Sequence, residues 1–141
     1  MDYMELALEL GKVKTLMVKI PHKDKIADIQ SGEKFVLGYL SKNNKKVNPK
    51  EISSTMNVST ARMSAILNQL ESKEMIERCV DPQNGRQTLV QLMPKGIQQQ
   101  KINEKEFLEY TVKFLKALGP EDAIAYIRIQ KKIIKFFEDK K

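Results

Sequence analysis

The chain has 141 residues, 41% of them hydrophobic, which is the size of one compact domain with enough apolar material to build a core. Its 25 Lys and Arg against 18 Asp and Glu give a formal net charge of +7, a balance that favours polyanionic partners such as nucleic acid. A single cysteine, Cys79, excludes an intramolecular disulfide. With no signal peptide, and no apolar run near the roughly 20 residues of a membrane span, the expectation is a cytoplasmic protein outside the membrane.

In chain order, residues 2–20 place Leu6, Leu10, Val13, Met17 and Ile20 at helical spacing before Pro21, which predicts an amphipathic first helix. A polar connection with His22, Lys23 and Asp24 follows. Ser31 is then positioned to cap a second helix that buries Phe35, Val36, Tyr39 and Leu40. The run SKNNKK marks an exposed basic break.

The stretch VNPKEISSTMNVSTARMSAILNQLESKEMIER carries the most information. Asn48 stands at a helix cap, Pro49 at the first helical position and Glu51 three residues after Asn48, which approximates a capping box. The helix they open is short, turning Ile52 and Met56 inward. Asn57 tolerates a left-handed turn, Val58 tucks back toward the core, and Ser59 caps the next helix. There Met63, Ile66, Leu67 and Leu70 recur at i, i+3, i+4 and i+7 and define a buried stripe. The opposite face holds Ala61, Ser64, Ala65 and Asn68, flanked by Arg62 and Gln69. Such small and hydrogen-bonding side chains let a helix lie close to base edges and phosphates. The contact set expected on double-stranded DNA is Ser59, Thr60, Ala61, Arg62, Ser64, Ala65 and Asn68, with the serines suited to phosphates and Thr60, Arg62 and Asn68 to bases.

After Ile76 the period changes, and MIERCV and TLVQL read as two short strands joined by DPQNGRQ. Asp81, Pro82, Asn84 and Gly85 are turn formers, which puts Arg86 at or beside the hairpin tip. Pro94 opens a long helix to about residue 117, with Ile97, Ile102, Phe107, Leu108, Phe114 and Leu115. Gly119 and Pro120 stop it, and a last helix runs from Glu121 to Glu138 with Ile124, Ile127, Ile134 and Phe137. The fold class expected is mainly α with a small β-hairpin wing. Lys42, Lys45, Lys46 and Lys50 are further candidates for the phosphate backbone, against the simpler reading of a solvated surface.

Enzymatic function is not expected. No Gly-rich phosphate loop is present, His22 is the only histidine, and no cluster has metal-ligand spacing, so neither a metal nor another cofactor is implied. Cys79 sits in an apparent strand between Arg78 and Val80, which argues against a reactive thiol.

This order of elements resembles the MarR (multiple antibiotic resistance regulator) family of transcriptional regulators over nearly the whole chain, most closely from Val47 to Arg78. In NGRQTLVQLMPKG, Arg86 aligns with that family's wing arginine and Gly96 with the glycine that opens its long helix. Asn84 replaces the usual wing aspartate, Met93-Pro94 replaces a capping threonine, and Ala65 and Gln69 stand where relatives often carry arginine. The resemblance implies a winged helix-turn-helix over residues 31–96 in a triangular homodimer. The flanking segments 1–30 and 97–141 would be its dimerisation helices. It also implies a repressor of a pseudopalindromic operator, with Arg86 in a flanking minor groove. Release by a small hydrophobic or aromatic effector is implied too, with Met17, Phe35 and Tyr39 as candidate pocket residues. The neutral Ala65 and Gln69 keep open a second reading, a winged-helix module for protein interaction with no specific DNA target.

Overall fold

The computed structural model describes residues 1–20, 32–43 and 46–140. Over these the backbone forms six helices and one two-stranded antiparallel hairpin. Helix α1 (Tyr3–Val18) starts behind Asp2, whose carboxylate accepts the N–H groups of Met4 and Glu5 at 2.9 and 3.3 Å. These are donors that a helix's first turn leaves unpaired. The connection through His22, Lys23 and Asp24, the Ser31 cap and Lys45 lie outside the described residues.

Helices α2 (Gly32–Asn43), α3 (Pro49–Met56) and α4 (Thr60–Ser72) precede strands β1 (Ile76–Asp81) and β2 (Asn84–Leu92). Their apolar faces close one core. Val36, Leu37 and Leu40 enter it from α2, Ile52 from α3, Met63, Leu67 and Leu70 from α4, and Ile76 and Val90 from the hairpin, none more than 2% exposed. Each such burial contributes roughly 1.5–3 kcal/mol relative to leaving the side chain in water. Leu37 joins Val36 and Leu40 inside, while Phe35 and Tyr39 are only partly buried, so the buried stripe of α2 is rotated from the expected one.

Val47 adds a piece that periodicity did not reveal. It pairs with Val90 through two backbone hydrogen bonds of 2.9 and 2.8 Å, a single-residue extension of the sheet that fastens the start of α3 to the hairpin.

Helix α5 (Pro94–Leu118) is seated by Gly96. A Cβ there would stand 2.0 Å from the Met75 carbonyl oxygen, so only glycine permits this approach. The same carbonyl accepts the Met93 N–H at 2.9 Å. Beside it, the Lys95 ammonium meets the Glu74 carboxylate at 2.9 Å and holds that carboxyl below the usual range.

The chain divides into two compact units, Met1–Asn103 and Glu104–Lys141. In the second, Gly119 adopts φ 88°, a conformation that favours glycine, between the end of α5 and helix α6 (Pro120–Glu138). Phe114 and Tyr126 pack edge to face with ring centres 5.7 Å apart. Helix α6 buries none of its residues, and neither does α1.

Candidate nucleic-acid interface

The presentation of α4 depends on the turn before it. Asn48 caps α3 by accepting the Lys50 N–H at 2.8 Å, with Pro49 in the first turn. The capping box remains half made, because the Glu51 carboxylate instead accepts the hydroxyl of Tyr39 on α2. Asn57 ends α3 in the left-handed region at φ 57°, ψ 47°, and the Val58 N–H returns to the Ser53 carbonyl at 3.1 Å. This tight turn sets the direction in which the next helix starts. Ser59 opens α4, its hydroxyl oxygen accepting the Arg62 N–H at 3.1 Å.

Helix α4 is two-faced as its sequence requires. Met63, Leu67 and Leu70 are buried and Ile66 half-buried, whereas Ser59, Thr60, Ala61, Arg62, Ser64, Ala65, Asn68 and Gln69 are all exposed. The α-helical period thus brings the expected contact residues onto one side. Two of them have partners within the protein. The Ser59 oxygen is occupied by the cap, leaving its proton to donate. Asn68 accepts, through Oδ1, a 2.6 Å hydrogen bond from Nη2 of Arg78 on β1.

Arg78 escaped the sequence reading. Its backbone N–H donates to the Glu71 carboxylate at 3.3 Å, so β1 and α4 are joined twice, and its Nε is buried without a partner among the described residues. The Glu-Arg pair at the start of a strand was the only local signal, and it does not say which helix residue the guanidinium meets.

The wing is longer than expected and turns elsewhere. β2 begins at Asn84, so Asn84 and Gly85 belong to a strand and the reversal is made by Pro82 and Gln83. The physical reason is that the Asp81 carboxylate accepts the Gln83 N–H at 2.9 Å and closes the turn within two residues. Val80 pairs with Thr88, but Asp81 pairs with Asn84, so residues 85–87 form an irregularity in β2 with no opposite residue. Arg86 lies in this bulge, exposed, and its N–H donates to Asn84 Oδ1 at 3.2 Å. Although Asn84 is uncharged, its side chain still ties the wing locally. Gln87, also unremarked in the sequence, receives at Oε1 the Asn48 amide at 3.3 Å and so links the wing to the cap of α3.

Of the candidate effector residues, Phe35 and Tyr39 stack with centroids 6.2 Å apart, while Met17 lies on α1 and is about half exposed. The hydrogen bond to Glu51, aided by burial and by that carboxylate's charge, holds the Tyr39 phenol above its ordinary pKa, with Thr55 acting in the opposite direction. Lys42, Lys46 and Lys50 are exposed. Cys79 is half-buried, its thiol 3.8 Å from the Leu89 carbonyl. Among the described residues no three His, Cys, Asp or Glu side chains gather as a metal site, and no helix is long and apolar enough to cross a membrane.

Residues 27–87, the segment that contains this helix-turn-helix and most of the wing, match the sequence model of the MarR family. That segment is similar to the MarR family. Solved structures of low sequence identity share its fold. YusO from Bacillus subtilis superposes with a TM-score of 0.70 at 20% identity, covering 96% of this chain and 99% of that one. FabT from Streptococcus pneumoniae, in complex with DNA, gives 0.66 at 18% identity, covering 99% and 100%. A mutant of S. aureus MepR bound to an oligodeoxyribonucleotide gives 0.57 at 20% identity, covering 100% and 99%. No curated protein matches the sequence. This chain has a winged helix-turn-helix with further helices before and after it in sequence.

Proposed function

We propose that this protein is a MarR-type repressor that binds a pseudopalindromic operator as a homodimer and leaves it when a small hydrophobic ligand binds. The observation that carries this reading is the face of α4. It is a capped helix projected by a left-handed turn, with every candidate contact from Ser59 to Asn68 exposed and an exposed arginine in the adjoining wing. The formal charge of +7 supplies the general attraction to phosphates.

In this reading Ser59 and Ser64 hold phosphates, Thr60 and Arg62 reach base edges in the major groove, and Arg86 enters a flanking minor groove. The unburied apolar helices α1 and α6 favour a second copy as partner. Two-fold symmetry then sets two recognition helices about 34 Å apart, one turn of DNA. A ligand against the Phe35–Tyr39 stack and Met17 acts by favouring a spacing that does not fit the operator. The protein works in the cytoplasm and catalyses no reaction.

The test is a titration of full-length protein against labelled DNA from its own upstream region and against random DNA, at two salt concentrations. The Arg62→Ala/Arg86→Ala variant runs beside the wild type. Sequence-selective binding that weakens steeply with salt, and that the double variant loses, is the expected result. Equal, weak binding to both DNAs that responds little to salt would point to a protein-interaction module instead.

A further inference from the structure

Three exposed side-chain amides on the α4 and wing surface share an arrangement that bears on which bases the protein reads. Asn68 Oδ1 faces the Arg78 guanidinium at 2.6 Å, and arginine has only donors, so the oxygen must be the atom turned toward it. Asn84 Oδ1 faces the Arg86 backbone N–H at 3.2 Å, again a donor only. For Gln87 the argument takes two steps. Asn48 must turn its oxygen to the Lys50 N–H at 2.8 Å, so its nitrogen is the atom that meets Gln87, and the Gln87 atom receiving it is therefore the oxygen. In each case a protein donor engages the carbonyl oxygen, and the exposed side chain keeps its NH2 group as a hydrogen-bond donor.

We propose that these amides are held as hydrogen-bond donors for DNA, and that Asn68, oriented by Arg78, selects guanine in each half-site. The proposal rests on the operator-binding reading above. A free asparagine prefers adenine, because its oxygen accepts from N6 while its nitrogen donates to N7. Arg78 takes one lone pair of the Asn68 oxygen and fixes its direction toward β1, which disfavours turning that oxygen to adenine N6. An NH2 group with two donors matches the one major-groove edge with two adjacent acceptors, guanine N7 and O6. On the wing, the same donor character of Asn84 and Gln87 suits phosphates and the minor-groove acceptors of A·T pairs. Arg78 acts through Asn68 and is a positioning residue.

The experiment is selection of full-length protein on a randomised duplex library, with sequencing, for wild type, Asn68→Ala and Arg78→Met. Wild type is expected to enrich a two-fold motif. Asn68→Ala should flatten one position per half-site by about tenfold, and that position should carry guanine in the wild-type motif. Arg78→Met, by freeing the Asn68 oxygen, should raise adenine there and nowhere else, which loss of stability alone would not do. If Arg78→Met does not fold, the exposed Asn68→Ala variant still decides the matter. A flattened position that carries any base but guanine overturns the proposal. A uniform loss of affinity with unchanged preferences also overturns it, by assigning Asn68 to a phosphate. A wild type that enriches no motif overturns the operator reading, and this inference with it.

Discussion

The winged segment and the outer helices spend their apolar residues differently. All ten buried hydrophobic side chains among the described residues lie between Val36 and Val90, where three helices and a hairpin close on one another. Helices α1 and α6 are as rich in leucine, isoleucine and phenylalanine, yet Leu8, Leu16, Ile124, Ile134 and Phe137 are each more than half exposed. An exposed apolar surface of that kind is characteristic of an interface. The winged segment buries its apolar residues within itself, whereas the outer helices leave theirs exposed, as the proposed dimer requires.

Breaking the inner region should have the largest effect. Leu70→Ala removes a fully buried side chain where α4 meets the core and is expected to cost about 2–5 kcal/mol, measured by denaturant unfolding. Gly96→Ala forces a methyl group against the Met75 carbonyl at the entry to α5, and a loss of about 1–3 kcal/mol is expected in the same assay. Ser59→Ala removes the cap of α4 and should cost about 1 kcal/mol, with a matching loss of helix-end protection in hydrogen exchange. Substitution in the outer region sharpens the contrast. Ile127→Asp with Ile134→Asp should change the intrinsic stability of the winged segment by less than about 0.5 kcal/mol, since both positions are exposed. The same pair should separate the subunits in sedimentation.

The smallest effect is one of pH. The Tyr39 phenol has a raised pKa in the folded protein because its hydroxyl donates to Glu51. Its contribution to stability is therefore fully present below the ordinary tyrosine value of about 10 and is lost as pH rises through the higher folded value. Tyr39→Phe should remove that alkaline dependence, read from melting temperatures across the range, while leaving the neutral-pH fold intact.

Most of the winged fold was legible because its signals are local. Asn48, Asn57 and Ser59 mark the short helix and the turn by cap chemistry, and Met63, Leu67 and Leu70 mark the buried face of α4 by period. The exposed contact face follows from that stripe by elimination. What escaped depends on residues distant in sequence. A single bridge at Val47 has no period to detect, and the bulge that carries Arg86 arises because Asp81 closes the turn early. The bond from Arg78 to Asn68 spans ten positions and two elements. A capping-box pattern also misled at Glu51, because a tertiary partner, Tyr39, competed for the carboxylate.

The central claim, that two copies joined through the outer helices present two α4 faces to one DNA site, is tested most directly by the mass of the complex. Sedimentation of the protein with a duplex carrying one selected pseudopalindrome should give two chains per duplex, falling to weak, unsaturated binding for Ile127→Asp/Ile134→Asp. One wild-type chain saturating each duplex, or the same two-chain complex from the variant, would contradict it.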